Sequence, residues 1–436
     1  MLDILFENAN IVTMNDAQPL INCGYVGVSG KKIAYVGKDA PKEPAKRKIN
    51  CAGDVIMPGL VNTHAHTAMV IMRGFADDLK LQEWLYERVF PAEAKLDKRA
   101  TCAGFTLGVA EMLATGTTSF SDMYCFETDC ARIAAETGIR ARLCNAVLAI
   151  SDDYDFERDR SITETREMLE MVKNGSLPAD RVSPQMGIHA EYTSKPAIWR
   201  KAVEFAREHA LDMHIHLSET LREHEQCIGR HKKTPTAVLS ENGVFDVPTI
   251  AAHCVYVTDE DMDILVEHGV TAVHNPVSNL KLASGIADVV HMRERGVNVA
   301  LGTDGCCSNN TLDMFEDIKF AALLAKNLHS DPSLMSAYDA LKLATVNGAQ
   351  AQGFGGRVGK IEQGYDADMI LLSMDALSRR PVNDVISSLV YCASGRDVYM
   401  TLVQGKVLYE RGEFKTIDIE KTLREVEEYA VPRVCG

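Results

Sequence analysis

Asp54-Val55-Ile56-Met57-Pro58-Gly59-Leu60-Val61-Asn62-Thr63-His64-Ala65-His66 is an apolar run that ends in a His-x-His pair. Such a run reads as a buried strand. Residues i and i+2 on a strand point to the same face. The two imidazoles therefore project together from a strand end. A shared metal ion is the economical filler of the space between them, because neutral imidazole is the commonest side-chain metal ligand. Two alternating histidines in a core or on a surface would look the same in isolation, so the rest of the chain has to decide.

Outward from this run, apolar strand candidates alternate with helical patterns. The candidates are Val55–Asn62, Thr118–Met123, Arg140–Ala149, Ser183–Ala190, Asp212–Leu217, Thr249–Val255, Val270–His274 and Asn298–Thr303. Lys98 to Ala114 and Asp339 to Gln352 read as helices between or after them. Eight strand–helix units are the expectation for a (β/α)8 barrel. An open doubly wound sheet would alternate too, but no Gly-x-Gly-x-x-Gly follows any candidate strand, so the dinucleotide fingerprint is missing.

The two ends of the chain read differently. Ile4–Val12 has strand composition, and Gly24–Val36 reads as a hairpin turning at Ser29-Gly30-Lys31. Near the other end, Asp368–Leu372 is a strand and Tyr399–Tyr409 a hairpin turning at Gln404-Gly405-Lys406. Together these pieces suffice for one small β domain built from both termini. Ile417 to Tyr429 reads as a charged surface helix.

Composition narrows the function classes. The 436 residues are 46% hydrophobic and 25% charged, with a net charge of −15. An acidic chain is a poor partner for nucleic acid or for an anionic membrane surface, and no apolar run reaches transmembrane length. The 12 cysteines contain no Cys-x-x-Cys spacing and read as reduced thiols. Met1-Leu2-Asp3-Ile4-Leu5-Phe6-Glu7 has neither a basic region nor a small-residue cleavage site. A cytoplasmic setting is the expectation. Apolar helices on a barrel exterior make a homo-oligomer a reasonable expectation as well.

Barrel chemistry lives where the strands end. The first candidate strand ends in His64 and His66, and the fourth in His189, with Glu191 beyond it. The fifth carries His214 and His216 and leads to Glu219. The sixth ends in His253, the seventh in His274, and the eighth in Gly302-Thr303-Asp304-Gly305. Seven of the 13 histidines thus fall at strand ends, closed by an aspartate. A catalytic metal takes three or four N/O ligands and keeps a position for water. His64, His66, Asp304 and one of His214 or His216 supply them; the last two share a strand face, so parity does not choose.

Several stretches, taken in order, resemble the amidohydrolase superfamily across nearly the whole chain. They are Pro58–His66, Thr115-Gly116-Thr117-Thr118, His214-Ile215-His216-Leu217-Ser218-Glu219-Thr220, Ala252-His253-Cys254, Asn275-Pro276-Val277-Ser278-Asn279 and Gly302–Gly305. Within the superfamily they look most like the methylthioadenosine/S-adenosylhomocysteine deaminases. The resemblance implies an α/β fold, a distorted (β/α)8 TIM barrel over residues 58–354, with a small β-sandwich from residues 1–57 and 355–436. It selects His216 as the ligand and leaves His214 supporting. Binuclear relatives bridge two metals through a carboxylated lysine at an internal strand end. Gln185-Met186-Gly187-Ile188-His189 has none, and Lys195 lies well past it. One divalent ion is expected, Zn2+ before Fe2+ or Mn2+.

A chemistry follows from these residues. A divalent metal lowers the pKa of its water to about 7; Asp304 accepts the water's proton and His253 holds the hydroxide in line. Glu219, kept protonated, donates to a ring nitrogen while hydroxide attacks the adjacent ring carbon and ammonia leaves. The resemblance further implies that Glu93 binds ribose hydroxyls and that His189 bonds the purine edge or the ribose. Trp84 would cover the base or the 5′ substituent, and Ser308 would bond a ring nitrogen. Several relatives carry an arginine where this chain has Asn145; Arg142, Arg158 and Arg160 are nearby. That departure weakens S-adenosylhomocysteine and leaves methylthioadenosine, 5′-deoxyadenosine or adenosine as substrates. Another heteroaromatic ring (a guanine, pterin or triazine) is the alternative, and a non-catalytic metal-binding barrel a remote one. The acidic segment Asp152–Glu157 reads as a lid or a solvated connector.

Overall fold

The Val55–His66 run divides at Gly59 between two sheets. The computed structural model describes residues 1–149 and 154–436. In it Val55–Pro58 and Leu60–His66 are separate strands. The expected single strand is therefore broken, and the reason is local. Pro58 has no N–H to give to a ladder. A Cβ on Gly59 would lie 2.1 Å from Thr118 Oγ1, so only glycine lets the chain cross there.

Leu60–His66 belongs to a parallel sheet. From one end its order is Asn298–Leu301, Thr271–His274, Thr249–His253, Met213–Leu217, Met186–Ile188, Arg140–Val147, Thr117–Tyr124, Leu60–His66 and Asp304–Gly305. Asn298–Leu301 pairs with Thr271–His274, and two residues later Asp304–Gly305 pairs with Ala65 and His66. The sheet thus curls until its eighth segment lies beside its first. Gly302 makes this approach possible, since a Cβ there would sit 2.7 Å from the His64 carbonyl. The expected Ser183–Ala190 strand is two short pieces, Val182–Pro184 and Met186–Ile188, interrupted after another proline. The other parallel strands begin and end within two residues of expectation.

Helices cover the outside of the sheet. Lys98–Ala114 is a helix as expected. The expected 339–352 helix is instead Ala337–Leu343 and Val346–Ala351. It breaks because the Ala344 carbonyl leaves the helix to accept from Val61 N–H at 2.8 Å. Pro196–Glu208 shows why such helices pack: Trp199, Ala202, Val203, Phe205 and Ala206 form one buried face. Each large apolar side chain so buried contributes about 1.5–3 kcal/mol. The charged tail is helical from Ile419 through Cys435, six residues past expectation, because Ala430 and Val434 are buried.

Strands from the two termini lie on one hydrogen-bonded path. Val55–Pro58 is the joint, pairing parallel with Leu2–Val12 and antiparallel with Met369–Leu372. Side chains from both ends of the path, among them Phe6, Ile11, Val26, Leu371 and Leu402, share one core. Both expected hairpins are present there. Of the acidic segment, Asp152 and Asp153 lie outside the described residues; Phe156 is buried and opens a short helical turn. Among the described residues no helix is long and apolar enough to cross a membrane.

Candidate active site

The strand ends of the parallel sheet meet in a cavity of about 360 Å³, within the usual range for a small-molecule site. The backbone there is unusual. Ser218, His253, Cys254 and Asp304 all sit at φ between +48° and +74°. Side chains other than glycine take that region at a cost, and such strain gathers at functional sites.

Hydrogen bonds fix the tautomers of the histidines. His216 Nδ1 lies 2.7 Å from the His189 carbonyl, and His66 Nδ1 faces the Met123 carbonyl. Carbonyls only accept, so both Nδ1 atoms carry the hydrogen. In the neutral rings both Nε2 atoms are then bare, and they face each other at 3.3 Å. His66 Nε2 is also 3.2 Å from Asp304 Oδ1, and His64 Nε2 is 3.4 Å from the same oxygen. His64 Nε2 is buried and has no hydrogen-bond partner among the described residues. Four lone-pair atoms thus converge. Ligands at 2.0–2.2 Å around a tetrahedral ion are about 3.3–3.6 Å apart, so the residues present fit a divalent metal.

The electrostatics ask for positive charge at the same point. Burial raises a carboxyl, but the facing imidazoles of His64 and His66 outweigh it and hold Asp304 well below its ordinary range. Burial opposes protonation of His66, yet Asp304 keeps that imidazole up at about 9. At His64 burial, with the charge of His66 beside it, outweighs Asp304 and brings the imidazole down to about 4. His214 sits one layer deeper: its Nε2 is 2.8 Å from His64 Nδ1, and its Nδ1 is 3.9 Å from Cys144 Sγ. With His64 Nε2 turned to a metal ion, His64 Nδ1–H would donate to His214 Nε2. The geometry therefore separates the pair that parity left equal: His216 meets the cluster and His214 backs it. A second triple, His64, His216 and His253, converges beside the His64, His66 and Asp304 triple.

Facing this cluster are the groups expected to move protons. His253 Nδ1 lies 2.8 Å from Asn279 Oδ1 and its Nε2 is 3.8 Å from Glu219 Oε2. Burial raises the Glu219 carboxyl, with His253 opposing, and Ser284 Oγ donates to its Oε1 at 3.2 Å. Asp304 Oδ2 accepts from Ser278 at 2.6 Å and Ser308 at 2.8 Å.

Of the expected substrate residues, Trp84, Glu93, Asn145, His189, Glu219 and Asp304 all line the cavity. Burial raises the Glu93 carboxyl, Tyr124 opposing, and lowers His189 to about 3. Ser308 is placed otherwise: its hydroxyl is spent on Asp304 and Gly305, and it is not part of the cavity wall. Asn145 Nδ2 donates to Glu164 Oε2 at 3.2 Å. Of the three nearby arginines, Arg160 reaches the cavity. Arg142 pairs with Asp212, and Arg158 is exposed beside Asp155. Sequence reasoning missed Ser278, Asn279 and Ser284. The first two follow a strand end in an already noted stretch; Ser284 lies ten residues past His274 and carried no signal.

The profile of the amidohydrolase family matches residues 55–408. The chain belongs to the amidohydrolase family. A protein of Acetivibrio thermocellus named 5-methylthioadenosine/S-adenosylhomocysteine deaminase is 43% identical over 433 residues, which is 98% of this chain and 99% of that relative. One of Methanosarcina acetivorans named 5′-deoxyadenosine deaminase is 42% identical over 427 residues, 98% of this chain and 97% of the relative. Among solved structures, an adenosine deaminase from Xanthomonas campestris with bound zinc superposes at a TM-score of 0.90. It is 31% identical and covers 99% of this chain and 98% of its own. The amidohydrolase signature thus spans both the curled parallel sheet and the Val55–Pro58 joint.

Proposed function

We propose that this amidohydrolase is a metal-dependent deaminase of adenine nucleosides, converting methylthioadenosine, S-adenosylhomocysteine, 5′-deoxyadenosine or adenosine to the inosine-type product and ammonia. The observation that carries the reading is a buried carboxyl, Glu219, set across one cavity from four converging lone-pair atoms. A ring opener of cyclic amides has no need of an acid at that place; a ring whose nitrogen must be protonated does.

His64, His66, His216 and Asp304 would hold one ion, Zn2+ before Fe2+ or Mn2+; a solved structure 31% identical to this chain has zinc bound. When bound, such an ion lowers the pKa of water to about 7. The protein's own groups do the rest. Asp304 accepts the proton of the attacking water, its carboxylate aimed by Ser278 and Ser308. His253, with Nδ1–H fixed on Asn279, presents a bare Nε2 that accepts from the same water. Glu219 gives its proton to the ring nitrogen as the C–O bond forms on the neighbouring carbon. The C–N bond then breaks as the amino group takes the proton held on Asp304 and leaves as ammonia, and the new hydroxyl gives its proton back to Glu219. Glu93 would accept from both ribose hydroxyls, His189 bond the purine or ribose, and Trp84 cover the base or the 5′ group.

The wall from Leu81 to Phe90 is apolar, with Leu81, Leu85 and Val89 beside Trp84. This supports a small uncharged 5′ substituent such as methylthio. A carboxylate-bearing substituent would have to recruit Arg160, whose Nε already donates to Glu164. For the fold we propose a closed (β/α)8 barrel over 58–354 and a β-sandwich from 1–57 and 355–436, supported by the Gly59 crossing and the shared terminal core. All 12 cysteines are free, which supports a cytoplasmic setting.

An ultraviolet assay of zinc-loaded protein with the four nucleosides and guanine tests the reading. Turnover of at least one adenine nucleoside is expected, methylthioadenosine foremost. Turnover of guanine alone, or of none of them, overturns it.

A further inference from the structure

The turn that carries Glu219 is held from behind by a second buried carboxyl. Glu223 opens the Leu221–His231 helix, is 6% exposed and is not part of the cavity wall. Its Oε1 accepts from the Ser218 N–H at 3.1 Å, and its Oε2 from the Glu219 N–H at 2.8 Å. Both oxygens are spent on two consecutive amides. The residue they clamp is the strained one: Ser218 sits at φ +48°, where a non-glycine side chain needs its surroundings to keep it. The Ser218 carbonyl is held as well, accepting from the Val255 and Tyr256 N–H groups at 3.1 and 3.0 Å. Glu223 is itself fixed, since its own N–H donates to Thr220 Oγ1 at 3.1 Å.

A bland account is an acid in the first turn of a helix, favoured by the helix dipole. That account leaves both oxygens free to face water or the helix amides. It does not explain why they reach back past the Thr220 cap to the two residues before it. Without the carboxylate, two buried N–H groups lose their acceptors. The turn can then leave the left-handed region, and Glu219 with it.

We infer that Glu223 is a positioning residue for the reaction: by accepting from both N–H groups of the Ser218–Glu219 turn it aims the Glu219 carboxyl at the ring. This rests on the deaminase reading above. A misplacement of about 1 Å in a reacting group costs roughly 10²-fold, so the clamp has a measurable consequence although it touches neither substrate nor metal donors.

The test compares wild type, Glu223→Gln and Glu223→Ala, with kcat expressed per bound metal. The amide variant keeps the shape but turns one acceptor into a donor facing an N–H. We expect kcat to fall about tenfold for Gln and about 10²-fold for Ala, with KM close to wild type. Hydrogen exchange at the Ser218 and Glu219 amides speeds up in both variants, while amides of the parallel strands keep their protection. Unchanged kcat per bound metal in both variants overturns the inference. So does a loss of activity that only tracks lost metal or lost folding. If wild type deaminates no adenine nucleoside, the deaminase reading fails; the exchange rates then still decide whether the clamp exists.

Discussion

Two clusters of buried charge sit at opposite ends of the parallel strands, and they are built on opposite terms. At the N-terminal end, Arg140 is fully buried and spends every guanidinium nitrogen. It donates to Asp368, to Asp366 at 2.8 Å and to the Asp180 carbonyl at 2.6 Å. Asp366 also takes Lys32 and Arg357, and Asp368 accepts from the Gln404 N–H. At the C-terminal end, His64 Nε2 has no hydrogen-bond partner among the described residues, and the Nε2 atoms of His66 and His216 face each other. The first cluster completes itself and ties the two sheets together. The second turns its ligating atoms toward one point. Both are buried; the difference lies in whether each lone pair and each N–H is already matched, and that is what separates a structural charge cluster from a functional one.

Mutations should divide along the same line. The largest effect is expected at the mouth: Asp304→Asn should lower kcat about 10⁴-fold, the upper end of what a proton acceptor contributes. It should also weaken metal binding and leave the thermal midpoint of the metal-free protein no lower than that of metal-free wild type. A collapse of stability would break the contrast, because the site would then be holding the fold. Arg140→Met should do the reverse. It leaves the buried Asp368 carboxylate without a cation, while Asp366 keeps Lys32 and Arg357, and should cost about 3–5 kcal/mol in denaturant unfolding, with kcat of the folded fraction unchanged. Glu219→Gln should lower kcat about 10²–10³-fold with metal content intact, which separates the proton donor from the donors that hold the ion.

Smaller effects sharpen the comparison. Lys31 holds Asp180 down at about 2. Burial would raise Asp366, but Lys32, Arg140 and Arg357 keep it below its usual value. A carboxyl whose folded pKa is depressed adds stability above its unfolded pKa and loses it as pH falls through the folded one. The contribution is therefore complete above about pH 4 and fades toward about pH 2, the value for Asp180. Denaturant midpoints of the metal-free protein should fall across that window, and Arg140→Met should flatten the fall. The smallest change is expected from Arg160→Ala. Its partly exposed pair with Glu164 is worth at most about 1 kcal/mol. KM for S-adenosylhomocysteine should rise by no more than about fivefold, and KM for methylthioadenosine should not move.

Much of the site was legible because strand parity and strand ends are local. His64-Ala65-His66 on an apolar run, His253 and Asp304 at strand ends, and Glu219 just beyond one needed only the period of two and the direction of the chain. What was illegible depended on distances between strands. Val55–Asn62 looked like one strand, since nothing local says that Gly59 must slip past Thr118. Ser308 looked free to meet a substrate, since only the fold brings its hydroxyl to Asp304. Glu223 carried no signal in the sequence, since nothing local says that the turn before its helix is left-handed.

By itself, then, the sequence determined the chemistry on offer: which strand ends carry imidazoles and carboxyls, in what order, and on an alternating α/β chain. The tertiary structure alone decided who meets whom. His214 and His216 share a strand face, yet one backs His64 and the other faces His66. The reason is depth along a curled sheet. Side-chain parity is fixed by the backbone repeat of each strand, whereas depth is set by the register between strands, which every neighbour in the sheet helps to choose.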